Sequence, residues 1–291
     1  IFAVAGSNNA KQVSENKRVI TETEEQVQLA LDSGCKLVKQ SKKINVAICP
    51  IQVVDSLHLQ EDIIVFAVDS RANTQFSANI VQLSGNTGVY GKIAVLDTGY
   101  NYNHPELVTS YMGGRDFVNN DSDPLDDNGH GSHVAGLITA DGIQDKARGV
   151  APSAQILAIK ILGSDGSGYF SDVIAGIYYA VDGPDGVYGT VDDPRVDALS
   201  LSLGTSAPYL YKGYCDNVFP SLTNAIRYAR DRNILVVIAA GNSGSVGVSL
   251  PGCISYATTV GAVNSLDKIA SFSGRGNALD IVAPGISLYS A

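Results

Sequence analysis

The 291-residue chain lacks any apolar run long enough to cross a bilayer, so no membrane-spanning helix is expected. It is short of positive charge: 20 Lys and Arg stand against 29 Asp and Glu, a formal net charge of -9. That balance argues against nucleic acid as a partner and for bound cations. Cysteine is sparse, at four residues. Cys35 and Cys49 flank a hairpin expected over residues 36–40 and 44–48 around Ser41-Lys42-Lys43, and they fall opposite each other in that register. Cys215 and Cys253 lie in loop-like sequence. The even count makes all four disulfide candidates and points to an oxidising compartment, with four buried thiols as the alternative. Both ends look cut: the chain opens on Ile1 rather than Met and stops at Ala291 without a closing element. Residues 1–6 fit either the tail of a cleaved export signal or a first strand.

What is present is globular. Hydrophobic residues make up 45% of the chain, enough for a sizeable core in one large domain or two unequal ones. Residues 17–68 read strand, helix, strand, strand, helix, strand, with a helix from Glu24 ended by Gly34 and last strand over 63–68. This is a small α+β unit with no nucleophile–base pair, and it reads as a binding or assembly module. Residues 69–86 are polar and aperiodic, as in a linker or processing region. From residue 87 the pattern changes. Apolar runs at 92–97, 155–162, 196–202, 234–240, 258–263 and 280–283 alternate with helical segments at 171–181 and 221–230. Continuously apolar strands alternating with helices imply an α/β fold, a parallel sheet covered on both faces.

In such sheets the site lies beyond the carboxyl ends of the strands. Asp97 ends one run, Ser202-Leu203-Gly204 another, and Ala240-Gly241-Asn242 a third. His130, in Asp126-Asp127-Asn128-Gly129-His130-Gly131-Ser132-His133, opens a buried helix on the same side. The helix N-terminus disfavours a second positive charge there, which is expected to keep His130 neutral and ready to accept a proton. A core histidine or a zinc pair of His130 and His133 is the alternative. The spacing suits zinc poorly, with no Glu or Cys at ligand distance. An Asp that orients a His, with an Asn amide that donates to an oxyanion, belongs to acyl transfer. Asp116, Asn119, Asp121 and Asp123 crowd one loop just before His130. Such carboxylates repel unless a cation joins them, and hard oxygens suit calcium. Asp182, Asp185, Asp192 and Asp193 form a second acidic, Gly-rich insertion with the same candidacy.

Residues 87–291 resemble the subtilisin-like serine peptidases. The motifs are Val95-Leu96-Asp97-Thr98-Gly99, the His130 stretch, Ser202-Leu203-Gly204 and Ala239-Ala240-Gly241-Asn242-Ser243, in the family's order. The resemblance implies a three-layer parallel-sheet domain over 75–291 and a propeptide over 1–74, cut within 69–77, that folds and inhibits its own enzyme. It implies that Asp97 orients His130 as general base, that Asn242 is the oxyanion donor, and that Gly166-Ser167-Gly168 and Ser202-Leu203-Gly204 are the edges that pair with an extended polypeptide, with Ala240 and Gly241 beside them and Phe170 lining a side-chain pocket. The acidic loop of Asp116, Asn119, Asp121 and Asp123 resembles a structural calcium loop of thermitase-like members. Asp141–Arg148 and Glu106 occupy the place of a further calcium site, but Ile143 stands where an oxygen ligand is expected, so none is assigned. Ser132 replaces the usual Thr. The family's nucleophile lies in a Gly-Thr-Ser-Met-Ala motif after an Ala-Pro-Gly. Here Ala283-Pro284-Gly285 is present without that motif, Ser287 and Ser290 stand in the wrong context, and the expectation is a serine beyond residue 291. The reading is a secreted, monomeric endopeptidase precursor with calcium and no organic cofactor. Its rivals are a non-catalytic peptide-binding protein and a zinc hydrolase.

Overall fold

The computed structural model describes residues 16–21, 23–40, 45–61, 70–143 and 147–291. The chain divides into two compact units between residues 67 and 68.

The smaller unit holds β1 (Asn16–Thr21), α1 (Glu24–Asp32), β2 (Lys36–Gln40), β3 (Asn45–Pro50), α2 (Ile51–Ser56) and β4 (Gln60–Glu61). The sheet order is β2-β3-β1-β4, with antiparallel pairing throughout. Thr23 caps α1 by accepting from the Gln26 N–H at 3.2 Å, and Glu24 and Glu25 sit at the positive end of the helix. Gly34 follows it at φ +89°, a conformation that needs no side chain. Val19, Ala30, Ala47 and Val54 form the core with the Cys35–Cys49 disulfide, the pairing expected from the hairpin register. The expected turn at 41–43 and last strand at 63–68 lie outside the described residues.

The larger unit opens with α3 (Ser70–Gln75) and α4 (Ala78–Leu83), where the sequence suggests a linker. Amide side chains anchor both: Asn73 donates to the Arg148 carbonyl at 3.0 Å, and Gln82 to the Gly149 carbonyl at 2.8 Å. Then follow β5 (Lys92–Asp97), β6 (Tyr111–Asp116), α5 (His130–Thr139), β7 (Gln155–Lys160), α6 (Phe170–Asp182), β8 (Ala198–Leu201), β9 (Leu210–Tyr211), α7 (Pro220–Arg230), β10 (Leu235–Ala239), β11 (Val248–Ser249), β12 (Thr258–Val263) and β13 (Ile281–Pro284). Seven strands make one parallel sheet in the order β13-β12-β10-β8-β5-β7-β6.

Side chains alternate across a strand, and here both faces are apolar. Ala94, Leu96, Leu157 and Ile159 pack with Val173, Ile177, Leu222 and Ile226 of α6 and α7. Val95, Ile156 and Ala158 pack with Ala135 of α5 on the other side. Helices therefore cover both faces, which is why these strands read as unbroken apolar runs. β6 is absent from that pattern because Gly113 and Gly114 interrupt it. A Cβ on Gly114 would stand 2.1 Å from the Ala158 carbonyl oxygen, so the close strand approach requires glycine. Among the described residues, no helix is long and apolar enough to cross a membrane.

Candidate active site

From β5 the chain runs to β6 at one edge, returns through β7 and crosses to β8 on the far side of β5, from which it builds outward the other way, so the strand order reverses between β5 and β8. A crevice opens beyond the carboxyl end of a strand at such a point. Asp97 is the last residue of β5 and is fully buried. His130 is the first residue of α5. Their side chains meet, with His130 Nδ1 2.6 Å from Asp97 Oδ1. The Thr98 N–H also donates to that oxygen, at 2.7 Å.

Packing and a second carboxylate bring the two turns together. A Cβ on Gly131 would lie 2.1 Å from the Gly99 carbonyl oxygen, so only glycine lets the start of α5 sit on the Asp97–Gly99 turn. Asp126 Oδ1 accepts from Thr98 Oγ1 at 2.9 Å and from the Asn128 and Gly129 N–H groups; Oδ2 accepts from the N–H and hydroxyl of Ser132. Burial raises the Asp126 pKa, but these donors outweigh it and hold the carboxyl below its ordinary range.

The pKa of His130 moves opposite to the direction expected from the helix N-terminus. Burial favours the neutral ring, as the helix N-terminus does, yet the hydrogen bond and negative charge of Asp97 overcome this and raise the pKa above the ordinary histidine value. A contact ion pair outweighs a helix dipole that is spread over a whole turn. Nδ1 is thereby committed to Asp97, and His133, pushed down by its own burial, holds the neutral form more firmly. Ser290 is engaged elsewhere, its hydroxyl donating to the His133 carbonyl at 2.7 Å.

His130 lines a cleft of about 800 Å³ with Gly166, Ser167, Gly168, Phe170, Ser202, Leu203, Gly204, Gly241 and Asn242. The expected substrate edges thus stand around one space, and Phe170 packs on Phe219 at 5.3 Å between ring centres. Ala240 is the exception. It is buried beneath the wall, its N–H bonded to the Val260 carbonyl, and it lines a neighbouring cleft of about 250 Å³. Sequence reading also missed Ser249, whose side chain fills the space over Gly204 and Gly241; a Cβ on Gly241 would meet its hydroxyl at 1.9 Å. That serine is 1% exposed and its hydroxyl oxygen has no hydrogen-bond partner among the described residues.

The acidic loop is hydrogen-bonded within itself. Asp116 accepts from the Asn119 backbone and side-chain N–H groups at 2.8 Å, Asp121 from the Asp123 N–H, and Asp123 from the Tyr102 hydroxyl. The donors are the hard oxygens that calcium takes. Among the described residues, however, no three acidic, His or Cys side chains are gathered closely enough to hold a metal. In the second acidic insertion Asp185, Asp192 and Asp193 accept from backbone N–H groups of their own loop. At the unassigned site, buried Glu106 accepts from the Gly142 and Ile143 N–H groups. Cys215 and Cys253 are joined as a disulfide.

Comparison with known proteins agrees with this geometry. The model of the subtilase family matches residues 89–291. A thermophilic serine proteinase of Bacillus sp. (strain AK1) is 40% identical over 200 residues, covering 68% of this chain and 45% of that protein. An alkaline protease of Shouchella clausii is 35% identical over 297 residues, covering 98% of this chain and 71% of that protein, so its alignment takes in the smaller unit as well. The crystal structure of a cold adapted subtilisin-like serine proteinase superposes with a TM-score of 0.58 at 32% identity, over 70% of this chain and 66% of that one. The chain thus spans less than half the length of the Bacillus relative and about two thirds of the solved one.

Proposed function

The chain belongs to the subtilase family, and from that premise we propose that it is the precursor of a secreted serine endopeptidase acting on extended polypeptides. The observation that carries the reading is the 2.6 Å contact between Asp97 and His130 at the rim of the cleft. With Nδ1–H donated to Asp97, Nε2 is the nitrogen left to take the proton of a serine nucleophile and return it to the leaving amine. Asn242, on the same cleft, donates its side-chain N–H to the oxyanion of the tetrahedral intermediate. The backbones of Gly166-Ser167-Gly168 and Ser202-Leu203-Gly204 flank the cleft as two edges for an extended peptide, which adds to them as a strand.

The propeptide covers residues 1–74 and so contains the smaller unit, with cleavage within 69–77. The alignment to the alkaline protease across 98% of the chain supports a shared organisation, and a parallel sheet, slow to fold because its pairings are distant in sequence, gains from a template. Two disulfides support an oxidising, extracellular setting. Asp116, Asn119, Asp121 and Asp123 would hold a structural calcium, supported by their donor chemistry; bound there, it would neutralise the charge that keeps these carboxylates apart. Raising calcium in a chelator-treated sample is expected to raise the unfolding temperature, and an unchanged value refutes the assignment.

The activity is tested by labelling with a fluorophosphonate, using protein expressed from its native gene. Wild type is expected to be labelled and to cleave a denatured protein, and His130→Ala to do neither. Peptide binding with neither labelling nor cleavage sinks the endopeptidase reading in favour of a peptide-binding protein.

A further inference from the structure

Lys160 ends β7 and is 1% exposed. A buried ammonium is costly unless its protons are used, and here each has an acceptor. Nζ donates to the Thr98 carbonyl, to the Leu162 carbonyl at 3.1 Å and to Asp127 Oδ1 at 2.6 Å. These acceptors are not scattered. Thr98 follows Asp97, Asp127 stands three residues before His130, and Leu162 begins the segment that leads to the Gly166–Gly168 edge. The Asp97 carbonyl accepts from the Ile161 and Leu162 N–H groups at 2.9 and 3.2 Å, tying two of these segments, the turn after Asp97 and the root of the cleft wall, from the backbone side. One buried cation therefore joins the turn after Asp97, the loop before His130 and the root of a cleft wall.

We propose that Lys160, through Asp127, is a positioning residue that sets the Asp97–His130 hydrogen bond. The proposal rests on the reading of that pair as catalytic. Lys160 does not touch the imidazole; it fixes the two backbones whose side chains must meet at 2.6 Å. The ammonium draws its carboxylate from the histidine loop, which ties that loop to the end of β7. Asp127 is the informative partner because its side chain is 49% exposed and can be cut back without opening the core.

The test reads the bond itself, in the 291-residue chain, as the low-field proton resonance of His130 Nδ1–H and its exchange with water. Lys160→Met is expected to move the resonance upfield and speed exchange at least about tenfold, as befits loss of a charge-assisted contact. Asp127→Ala moves both in the same direction by less. Asp127→Asn, which keeps an acceptor oxygen, restores the wild-type signal. A wild-type resonance and exchange rate in Lys160→Met, whatever happens to its melting temperature, overturns the proposal. If Lys160→Met does not fold, the same result in Asp127→Ala overturns it. A wild-type protein without the low-field resonance overturns the Asp97–His130 pairing itself, and the proposal with it.

Discussion

Gly131→Ala gives the sharpest test of how the site is assembled. A methyl at this position would stand 2.1 Å from the Gly99 carbonyl oxygen and 3.0 Å from its nitrogen. Ordinary carbon–oxygen approaches are no closer than about 3.3 Å, so α5 and the Asp97–Gly99 turn must separate by roughly 1 Å. Both neighbours are backbone, and neither can rotate away. Alanine favours a helix by at most about 1 kcal/mol over glycine, while overpacking costs about 1–3 kcal/mol. The net is a loss of up to about 2 kcal/mol, or up to about 8 °C in melting temperature for a unit of this size. The displacement falls on His130, the adjacent residue, and misplacement of about 1 Å lowers turnover roughly 10²-fold. Thermal unfolding and kcat/KM on a peptide, in protein expressed from its native gene, measure both. Gly176→Ala in α6 is the control, because its methyl would meet only side-chain methyls at 3.0–3.2 Å. A Gly131→Ala protein that melts at or above wild type and keeps its kcat/KM would refute the reasoning.

Four further outcomes follow from the same structure. Asp97→Asn removes the largest influences that raise the His130 pKa and leaves the burial that lowers it, so the ring is expected to titrate below its wild-type midpoint in NMR; a higher midpoint contradicts the assignment. Because the folded value is raised, the His130–Asp97 pair adds stability that is complete below the unfolded histidine value of about 6.5 and fades as pH rises through the folded one; melting curves across that interval should lose this slope in His130→Gln. Cutting the Cys215–Cys253 bridge, a separation of 38 residues, should cost about 3–4 kcal/mol by loop entropy, read as a shift in the denaturant midpoint, and Asn242→Ala should lower kcat about 10²–10³-fold, a factor carried over from subtilisin itself.

Much of this site is legible in the chain because its parts end strands. A strand buried on both faces reads as an apolar run, and the polar residue that stops it marks the carboxyl edge of the sheet. Asp97 and the Ser202 and Asn242 segments are visible for that reason, and Cys35 with Cys49 is visible because a hairpin register is local. The parts that escape have distant partners. Helices α3 and α4 carry little periodicity; they are held by Asn73 and Gln82, whose acceptors lie 75 and 67 residues away. Ser249 takes its place from Gly204 and Gly241, and Lys160 resembles any polar residue closing a strand until Thr98 and Asp127 arrive beside it.

His130 shows most plainly why local reading stops short. Its own segment predicts a neutral ring, since a helix begins there and the partial positive charge of that end repels a proton. The residue that reverses the direction of the shift is 33 positions earlier and touches the ring at 2.6 Å. A full charge in contact, partly shielded from water, outweighs half a charge shared among several amide groups. The raised pKa then follows from the approach of two turns, and that approach depends on Gly131 having no side chain. A residue chosen for what it lacks thus governs the protonation of its neighbour, a dependence that runs through the tertiary fold and not along the helix.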